Sequence, residues 1–321
     1  MKYALALITA LCMLLSGEVT AQSYPSKPVK IIVGFPPGQA ADLIARLLAQ
    51  SLQHNLGQPF IVENRPGAAT IISHEIVMKS PADGYTLMMS SSGALAVNPA
   101  LYSKLPYDPL KDFAPIALVA TGPYFLVAFP DFAPSTVKDL VAYAKANPGK
   151  INYASSGSGI TNHLIMEMFR KAAGLDLNHV PYKGSGPALV DLIAGRVSLM
   201  FDTGPAVLPH LRSGKLKAIA VSSLERFAAV PEVPTMAESG LPGFAAVGWA
   251  ALVAPAGVPG EIVTRLNAEV TKFLANSDTK QKFVLLGLVP GGGTPEVFAA
   301  FLKSEVLKWG TAVKESGARA E

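Results

Sequence analysis

Cysteine is almost absent from this sequence, since the single one, Cys12, lies in the apolar segment at the amino terminus. The residues after that segment therefore cannot form a disulfide or a thiolate metal site. Charged residues are also scarce, at 16% of 321 residues, where ordinary soluble domains have about a quarter. Because 50% of the residues are apolar, the composition excludes a disordered or coiled-coil protein and indicates extensive burial, and the length accommodates two α/β domains.

Clusters of basic residues are lacking as well. The formal net charge is only +4, and the lysines and arginines are scattered along the chain. This pattern excludes a nucleic-acid-binding surface, because such surfaces concentrate basic residues on one face. A mild positive charge instead favours attraction of small anions.

The one prolonged apolar run lies at the amino terminus, from Ala4 to Leu15. It follows Lys2 and precedes the small-residue end Val19-Thr-Ala21, which is the pattern of a cleavable signal peptide over residues 1–21. A lipoprotein signal is disfavoured because Leu11 stands before Cys12, where a small residue is needed. We therefore expect export to the periplasm and a mature chain of 300 residues that keeps the net charge of +4.

Recognisable catalytic and metal motifs are also missing. The stretch Gly157-Ser-Gly159 lacks the spacing of a serine-hydrolase elbow, and the His74 helix carries Met78 where a zinc protease has its second histidine. His163 and Glu167 lie one helical turn apart, but a lone pair usually belongs to a solvated face. We predict no catalytic residue, no metal and no cofactor, while an exported hydrolase that uses His163 or Asp202 stays as an alternative.

What the chain does contain is an alternation of short apolar runs with helical periods, which is typical of parallel sheets covered by helices. We predict an α/β protein in which Tyr124 to Phe129 is a strand that leaves the first domain. A second crossing near residue 248 returns the chain, and the terminal helices are expected to pack on the first domain. The predicted lobes are residues 22–123 with 249–321, and residues 124–248, with a ligand cleft between them.

Loops at the predicted strand ends carry the candidate ligand contacts. Pro36-Pro-Gly-Gln-Ala40 opens the first helix, where free N–H groups and the helix dipole favour an anion. Ser91-Ser-Gly93 and Ser155-Ser-Gly157 repeat one pattern at the ends of two strands, although ordinary turns have the same composition. Asp202 follows an apolar strand and either contacts ligand or caps the next helix. Four aromatic residues at strand ends or crossings line the cleft or fill the core, namely Phe35, Tyr124, Tyr182 and Trp249.

A series of short motifs resembles the Bug family, the periplasmic solute-binding proteins of tripartite tricarboxylate transporters. The motifs run in order along the chain and are Tyr24-Pro-Ser-Lys-Pro28, Gly34-Phe-Pro-Pro-Gly38, Val62-Glu-Asn-Arg-Pro-Gly67, Asp83-Gly-Tyr-Thr86, Asn98-Pro-Ala-Leu-Tyr102, Leu105-Pro-Tyr-Asp-Pro109, Asn147-Pro-Gly149, His179-Val-Pro-Tyr-Lys-Gly184, Val233-Pro-Thr235 and Ala254-Pro-Ala-Gly257. The resemblance implies a two-lobed type II periplasmic-binding-protein fold that captures a small carboxylate. It also implies delivery to membrane permease subunits, and we expect the protein to act as a monomer without enzymatic activity.

The resemblance also implies which residues bind the ligand. The ligand-binding residues that it implies are Phe35, Pro37, Gly38, Gln39, Ser91, Ser92, Ser156, Gly157, Ser158, Thr161, His163, Tyr182 and Asp202. The sequence departs from the family at Gln39-Ala40, at Ala69-Thr-Ile71, where Gly-Gly-Asn is common, and at Thr203, where Asn is common. These departures prevent the transfer of one relative's specificity, so a dicarboxylate or tricarboxylate, an aromatic acid or an acidic amino acid all fit. An extracytoplasmic sensor that presents its closed form to a signalling receptor is the alternative function.

Overall fold

The protein is described by a computed structural model that covers residues 24–316, so the predicted signal peptide lies outside the described residues. The strands are β1 Val29–Val33, β2 Phe60–Asn64, β3 Thr86–Ser91, β4 Phe113–Ala128, β5 Asn152–Ser155, β6 Asn178–Pro181, β7 Leu199–Thr203, β8 Lys217–Val221, β9 Val247–Pro255 and β10 Val289–Gly292. The helices are α1 Ala40–Leu56, α2 Ile71–Met78, α3 Asn98–Leu101, α4 Val137–Ala146, α5 Thr161–Ala173, α6 Ser185–Ile193, α7 Gly204–Arg212, α8 Gly260–Ala275, α9 Ser277–Leu285 and α10 Pro295–Ser316. A short 3₁₀ turn spans Ala68–Thr70, and a π-helical segment spans Gly93–Val97.

The sheet consists of two strand groups that share β4. In the first strand group, β1 pairs in parallel with β2 and β3, and β9 and β10 run antiparallel to β4. In the second strand group, β5 pairs in parallel with β6 and β7, and β7 and β8 run antiparallel to β4. The predicted alternation of strands and helices is confirmed, and it brings the carboxyl ends of β1, β3, β5 and β7 toward a common region.

The long strand β4 corrects one prediction. Thr121-Gly-Pro123 looks like a turn in the sequence, so a separate strand was expected to start at Tyr124. Instead one strand continues through these residues, pairing with β9 up to Pro123 and with β7 from Tyr124 onward. Pro123 is tolerated because the strand changes partners at this point, where a regular ladder of hydrogen bonds is interrupted.

Local signals explain where several helices begin and end. The sequence pattern predicts a helix from Thr161 to Ala173, and α5 has these bounds. Gly174 ends this helix in the left-handed conformation that glycine adopts without steric cost. The sequence offers Ser135 or Thr136 as the cap of α4, and the cap is Thr136, whose hydroxyl accepts a hydrogen bond from the Asp139 backbone N–H. Asp202 does not cap α7, which was one of its two predicted roles, because it lies within β7 and Thr203 is the residue that precedes the first turn of the helix. Its carboxylate accepts the N–H of the adjacent Thr203 at 2.8 Å.

The last helix, α10, fills the core beside both strand groups. Phe298, Leu302 and Trp309 are almost fully buried, and each such side chain contributes about 1.5–3 kcal/mol relative to an exposed one. The helix packs on the π-helical segment and α3, and also on α5, so its contacts extend beyond those expected with the first domain. Among residues 24–316, none of the helices has the length and apolar character needed to cross a membrane.

Candidate functional site

A cavity of about 490 Å³ lies between the two strand groups. Its volume falls in the range of about 300–1,000 Å³ that is usual for small-molecule sites. The loops after β1, β3, β5 and β7 line it, together with the middle of β4 and the start of β9. Sites of this kind are expected where the carboxyl ends of strands open toward a crevice.

Most of the residues predicted from the sequence meet at this cavity. The predicted residues that line it are Phe35, Pro37, Gly38, Gln39, Ser91, Ser92, Ser156, Thr161 and Asp202. Of the four candidate aromatics, Phe35, Tyr124 and Trp249 belong to the wall. The two Ser-Ser-Gly repeats thus come from different strand groups and face one cavity.

Four predicted residues lie outside the cavity wall. Gly157 and Ser158 belong to the loop before α5, and Ser158 is exposed to solvent. The His163 ring stacks on His179 at a centroid distance of 4.0 Å, and its Nδ1 accepts the Gly159 N–H. The Tyr182 hydroxyl donates to the Asp191 carboxylate at 2.7 Å. The His163 and Tyr182 side chains thus form hydrogen bonds to residues behind the cavity wall.

Four α-helices begin at the cavity. The residues that precede the first turns of α1, α5, α6 and α7 all line it, namely Gln39, Ile160, Gly184 and Thr203. At none of these four helix starts does a side chain of the residue before the first turn accept a backbone N–H. By contrast, Asn276 accepts two backbone N–H groups at the start of α9, away from the cavity. Free N–H groups at the positive ends of helix dipoles favour a negatively charged ligand.

Asn162 presents a fixed hydrogen-bond donor at the start of α5. Its Oδ1 accepts from the Ser156 backbone N–H at 3.3 Å and from the Ser156 hydroxyl at 3.1 Å. These contacts orient the amide, and they leave the buried Nδ2 without a protein partner. A buried N–H group without a partner costs about 1–3 kcal/mol, so a ligand acceptor at this position would remove that cost.

Asp202 presents a carboxyl group to the cavity from the end of β7. Its Oδ2 is buried and has no hydrogen-bond partner within the described chain. Burial raises the pKa of Asp202 to about 6, although hydrogen bonds from Ser185 and Thr203 offset part of this effect. At neutral pH the group is therefore close to the point where it gains a proton, and a protonated carboxyl can donate a hydrogen bond.

The loop after β1 is held by a network around Asp42. The Asp42 carboxylate accepts from the Gly38 N–H at 2.8 Å, from the Asn64 amide at 2.8 Å and from Arg46 at 3.0 Å. Asn64 also donates to the Phe35 carbonyl at 3.0 Å. The Gly38 N–H is therefore already bonded within the protein, and the contribution of this loop to a ligand comes from other groups.

Several residues of the wall were not predicted to bind ligand. They include Thr121, Asn162, Lys183, Ser185, Thr203 and His210. Asn162 lies one position after a predicted residue, so the start of α5 was the available signal. Thr121 could not be assigned, because its position in the wall depends on the unexpected continuity of β4.

Positive side chains contribute little to the described cavity. Lys183 is exposed at its edge, and arginine does not occur among the described residues of its wall. Residues 24–316 also contain no cluster of three or more His, Cys, Asp or Glu side chains that could hold a metal ion. Neutral donors and helix starts therefore provide the electrostatic complementarity that this cavity offers to an anion.

Known proteins match this chain over nearly its whole length. A family model described as "Tripartite tricarboxylate transporter family receptor" matches residues 44–318. Protein BugT of Bordetella pertussis is 41% identical over 306 residues, which cover 95% of this chain and 94% of BugT.

Solved structures give the same result. R. palustris Rpa4515 with adipate aligns at a TM-score of 0.90 with 37% identity, covering 92% of this chain and 99% of that protein. MatC (Rpa3494) from Rhodopseudomonas palustris with bound malate aligns at 0.85 with 34% identity, covering 90% and 100%. The predicted two-lobed periplasmic-binding-protein fold is confirmed. The chain therefore belongs to the tripartite tricarboxylate transporter receptor family, whose members are periplasmic solute-binding receptors rather than enzymes.

Proposed function

We propose that this chain binds a small carboxylate in the cavity between its lobes. The observation that carries the proposal is the set of four helix starts without side-chain caps, together with the partnerless Asn162 Nδ2. These groups complement a carboxylate without an arginine. Adipate and malate in the two related structures are both dicarboxylates, which supports the same class of ligand here.

We propose that the bound carboxylate is delivered to the membrane permease of a tripartite tricarboxylate transporter. The protein reaches the periplasm through a signal peptide over residues 1–21. Membership of the receptor family supports both statements. Action as a monomer stays a prediction, which analytical ultracentrifugation of the purified protein tests.

We also propose that the lobes are residues 22–123 with 249–321, and residues 124–248. The change of partners along β4 supports this division, because β9 pairs with it through Pro123 and β7 pairs with it from Tyr124. Two adjacent strands cross between the lobes, so a hinge at these strands lets the lobes close over a ligand.

Thermal unfolding with a panel of carboxylates tests the ligand class. The panel contains adipate, malate, tricarboxylates, aromatic acids and acidic amino acids. A ligand at 100 times its dissociation constant adds about 2.7 kcal/mol, which shifts Tm by several degrees. The protein is unfolded and refolded first to remove any ligand that co-purified. A panel without any shift would contradict the carboxylate proposal.

Asn162→Asp tests the site with the ligand that gives the largest shift. The substitution keeps the side-chain shape, removes both N–H donors and adds a negative charge, so affinity for the carboxylate should fall at least about tenfold. Ser158→Ala is the control, because Ser158 is exposed and lies outside the cavity wall. Titration calorimetry measures both variants, and equal affinities in the two would reject this site.

A further inference from the structure

Glu305 forms a buried link between the last helix and the cavity wall. Its Oε2 accepts the Trp249 Nε1–H at 2.8 Å and the Trp309 Nε1–H at 3.0 Å. Its Oε1 accepts from Lys308 at 3.2 Å, and the Glu305 side chain is only 8% exposed. One carboxylate oxygen thus holds both tryptophans of the sequence.

Trp249 connects this link to the cavity. The residue lies in the cavity wall on β9, opposite Thr121 of β4, where β4 changes strand groups. Trp249 is 5% exposed, and its ring packs edge-on against Phe298 and Phe301 of α10, with centroid distances of 6.1 and 5.6 Å. Packing restrains the position of the ring, and the charge-assisted hydrogen bond in addition fixes the direction of Nε1.

We infer that Glu305 is a positioning residue of the ligand cavity, because it fixes the Trp249 ring in the wall through the shared carboxylate oxygen. This inference rests on the proposed function and extends it to a residue that lies outside the cavity wall. Sites hold their ligands well only when neighbouring side chains lock the residues of the wall. Glu305 is 56 positions from Trp249 in the sequence, so the sequence pattern around α10 does not indicate this contact.

A measurement without ligand tests the positioning itself. Trp309→Phe leaves Trp249 as the single tryptophan and keeps its hydrogen bond to Glu305. Adding Glu305→Leu to this variant removes the acceptor and replaces it with an apolar side chain of similar size. We expect the Trp249 emission to shift and its quenching by acrylamide to increase. Glu305→Gln in the same background retains an acceptor oxygen and should restore the original emission.

Ligand affinity tests whether this positioning matters for binding. Glu305→Leu should lower the affinity for the dicarboxylate that gives the largest thermal shift by about tenfold. Trp309→Phe should leave the affinity for this dicarboxylate unchanged. In a Trp249→Phe background, which lacks the indole N–H, Glu305→Leu should cause no further loss. A purely structural role would instead lower affinity equally in both backgrounds, since double-mutant cycles isolate the shared term.

Failure of the inference about Glu305 and failure of the proposed carboxylate binding give different experimental results. Unchanged Trp249 emission and quenching in the Glu305→Leu variant would overturn the inference, whatever the ligand. An equal loss of affinity with and without the Trp249 indole N–H would also overturn it. A panel in which no carboxylate binds would contradict the proposed function, while the fluorescence of ligand-free protein would still decide whether Glu305 positions Trp249.

Discussion

Asp202 stabilises the folded protein less than an uncharged side chain of the same shape would. Burial raises its pKa from 3.8 to about 6, so folding favours the protonated form. The native state therefore binds the proton more tightly than the unfolded state. The free energy of unfolding that this group contributes falls as the pH rises from about 4 through about 6.

Asp202→Asn should stabilise the ligand-free protein at pH 7 and leave it unchanged near pH 4. The two pKa values, 3.8 and about 6, correspond to a gain of up to about 3 kcal/mol at neutral pH. The gain arises because the amide keeps the acceptor for the Thr203 N–H without a charge. Urea unfolding at several pH values measures it.

Asp176→Asn is the control for this prediction, because Asp176 is exposed on the surface. Because surface substitutions usually change stability by less than about 0.5 kcal/mol, Asp176→Asn should leave the free energy of unfolding at pH 7 close to that of the wild type. If Asp202→Asn matched the wild type at every pH, the buried carboxyl would not be favouring its protonated form. A side chain that lowers stability in the free protein is typical of binding sites, where stability and function compete.

At the level of secondary structure, the 3₁₀ turn before α2 contains unusual backbone conformations. Ala68, Ala69 and Thr70 have φ values of 45°, 48° and 72°, all in the left-handed region. The Ala69 carbonyl accepts from Asn98 at 3.1 Å, and the Thr70 carbonyl accepts from the Ser73 hydroxyl at 2.6 Å. Tertiary contacts thus hold the turn in a conformation that side chains with Cβ disfavour. Glycine at position 69 would adopt this conformation without steric cost.

Ala69→Gly should therefore stabilise the protein. Relief of the left-handed alanine contributes about 1–2 kcal/mol, and the greater freedom of glycine in the unfolded chain offsets about 0.4–1 kcal/mol of it. Ala142→Gly is the matched control, since Ala142 is an exposed interior residue of α4 and should lose about 0.5–1 kcal/mol. Chemical denaturation of both variants gives opposite signs if the turn is strained, and equal losses would contradict the prediction.

The elements that could be predicted are those with complete local signals. α5 combines a buried face with Gly174 at its end, so the bounds predicted for it match the structure. α9 was missed because its sequence is polar, and only Asn276, which accepts from the Asp278 and Thr279 N–H groups, marks its start. The sequence predicts that β4 ends before Tyr124, because Thr121-Gly-Pro123 resembles a turn. Only the pairing of these residues with β9 shows that the strand continues.

In the candidate site, too, the residues that could be predicted are those with a local sequence signal. Ser92 and Ser156 could be placed because the topology of α/β proteins sends strand ends to one crevice. Trp249 could be placed at a crossing, but its partner Glu305 could not, since no local pattern connects β9 with the last helix. Contacts between residues distant in sequence are thus the part of this site that sequence patterns leave undetermined.

At the scale of the whole molecule, the two lobes meet closely beside the cavity. In the proposed division, Gly93 opens the π-helical segment in the first lobe, and Thr161 opens α5 in the second. A Cβ at position 93 would lie 2.9 Å from the Thr161 Oγ1, which is closer than real Cβ contacts allow. The absence of a side chain at Gly93 therefore lets the lobes approach each other here.

Gly93→Ala should hinder closure without damage to either lobe, because the backbone at position 93 has an ordinary negative φ that alanine adopts. Overpacking of this kind costs about 1–3 kcal/mol, which would weaken carboxylate binding about 5- to 150-fold. Small-angle scattering should show a larger radius of gyration than for the wild type.

Thr161→Ala removes the oxygen that the new methyl group would meet, so it should restore the compact shape of the Gly93→Ala protein. Gly310→Ala, inside α10 with open space around it, should change neither shape nor affinity. A Gly93→Ala protein as compact as the wild type would show that this contact does not limit closure, and the close approach of the lobes would then have to depend on other contacts across the cavity.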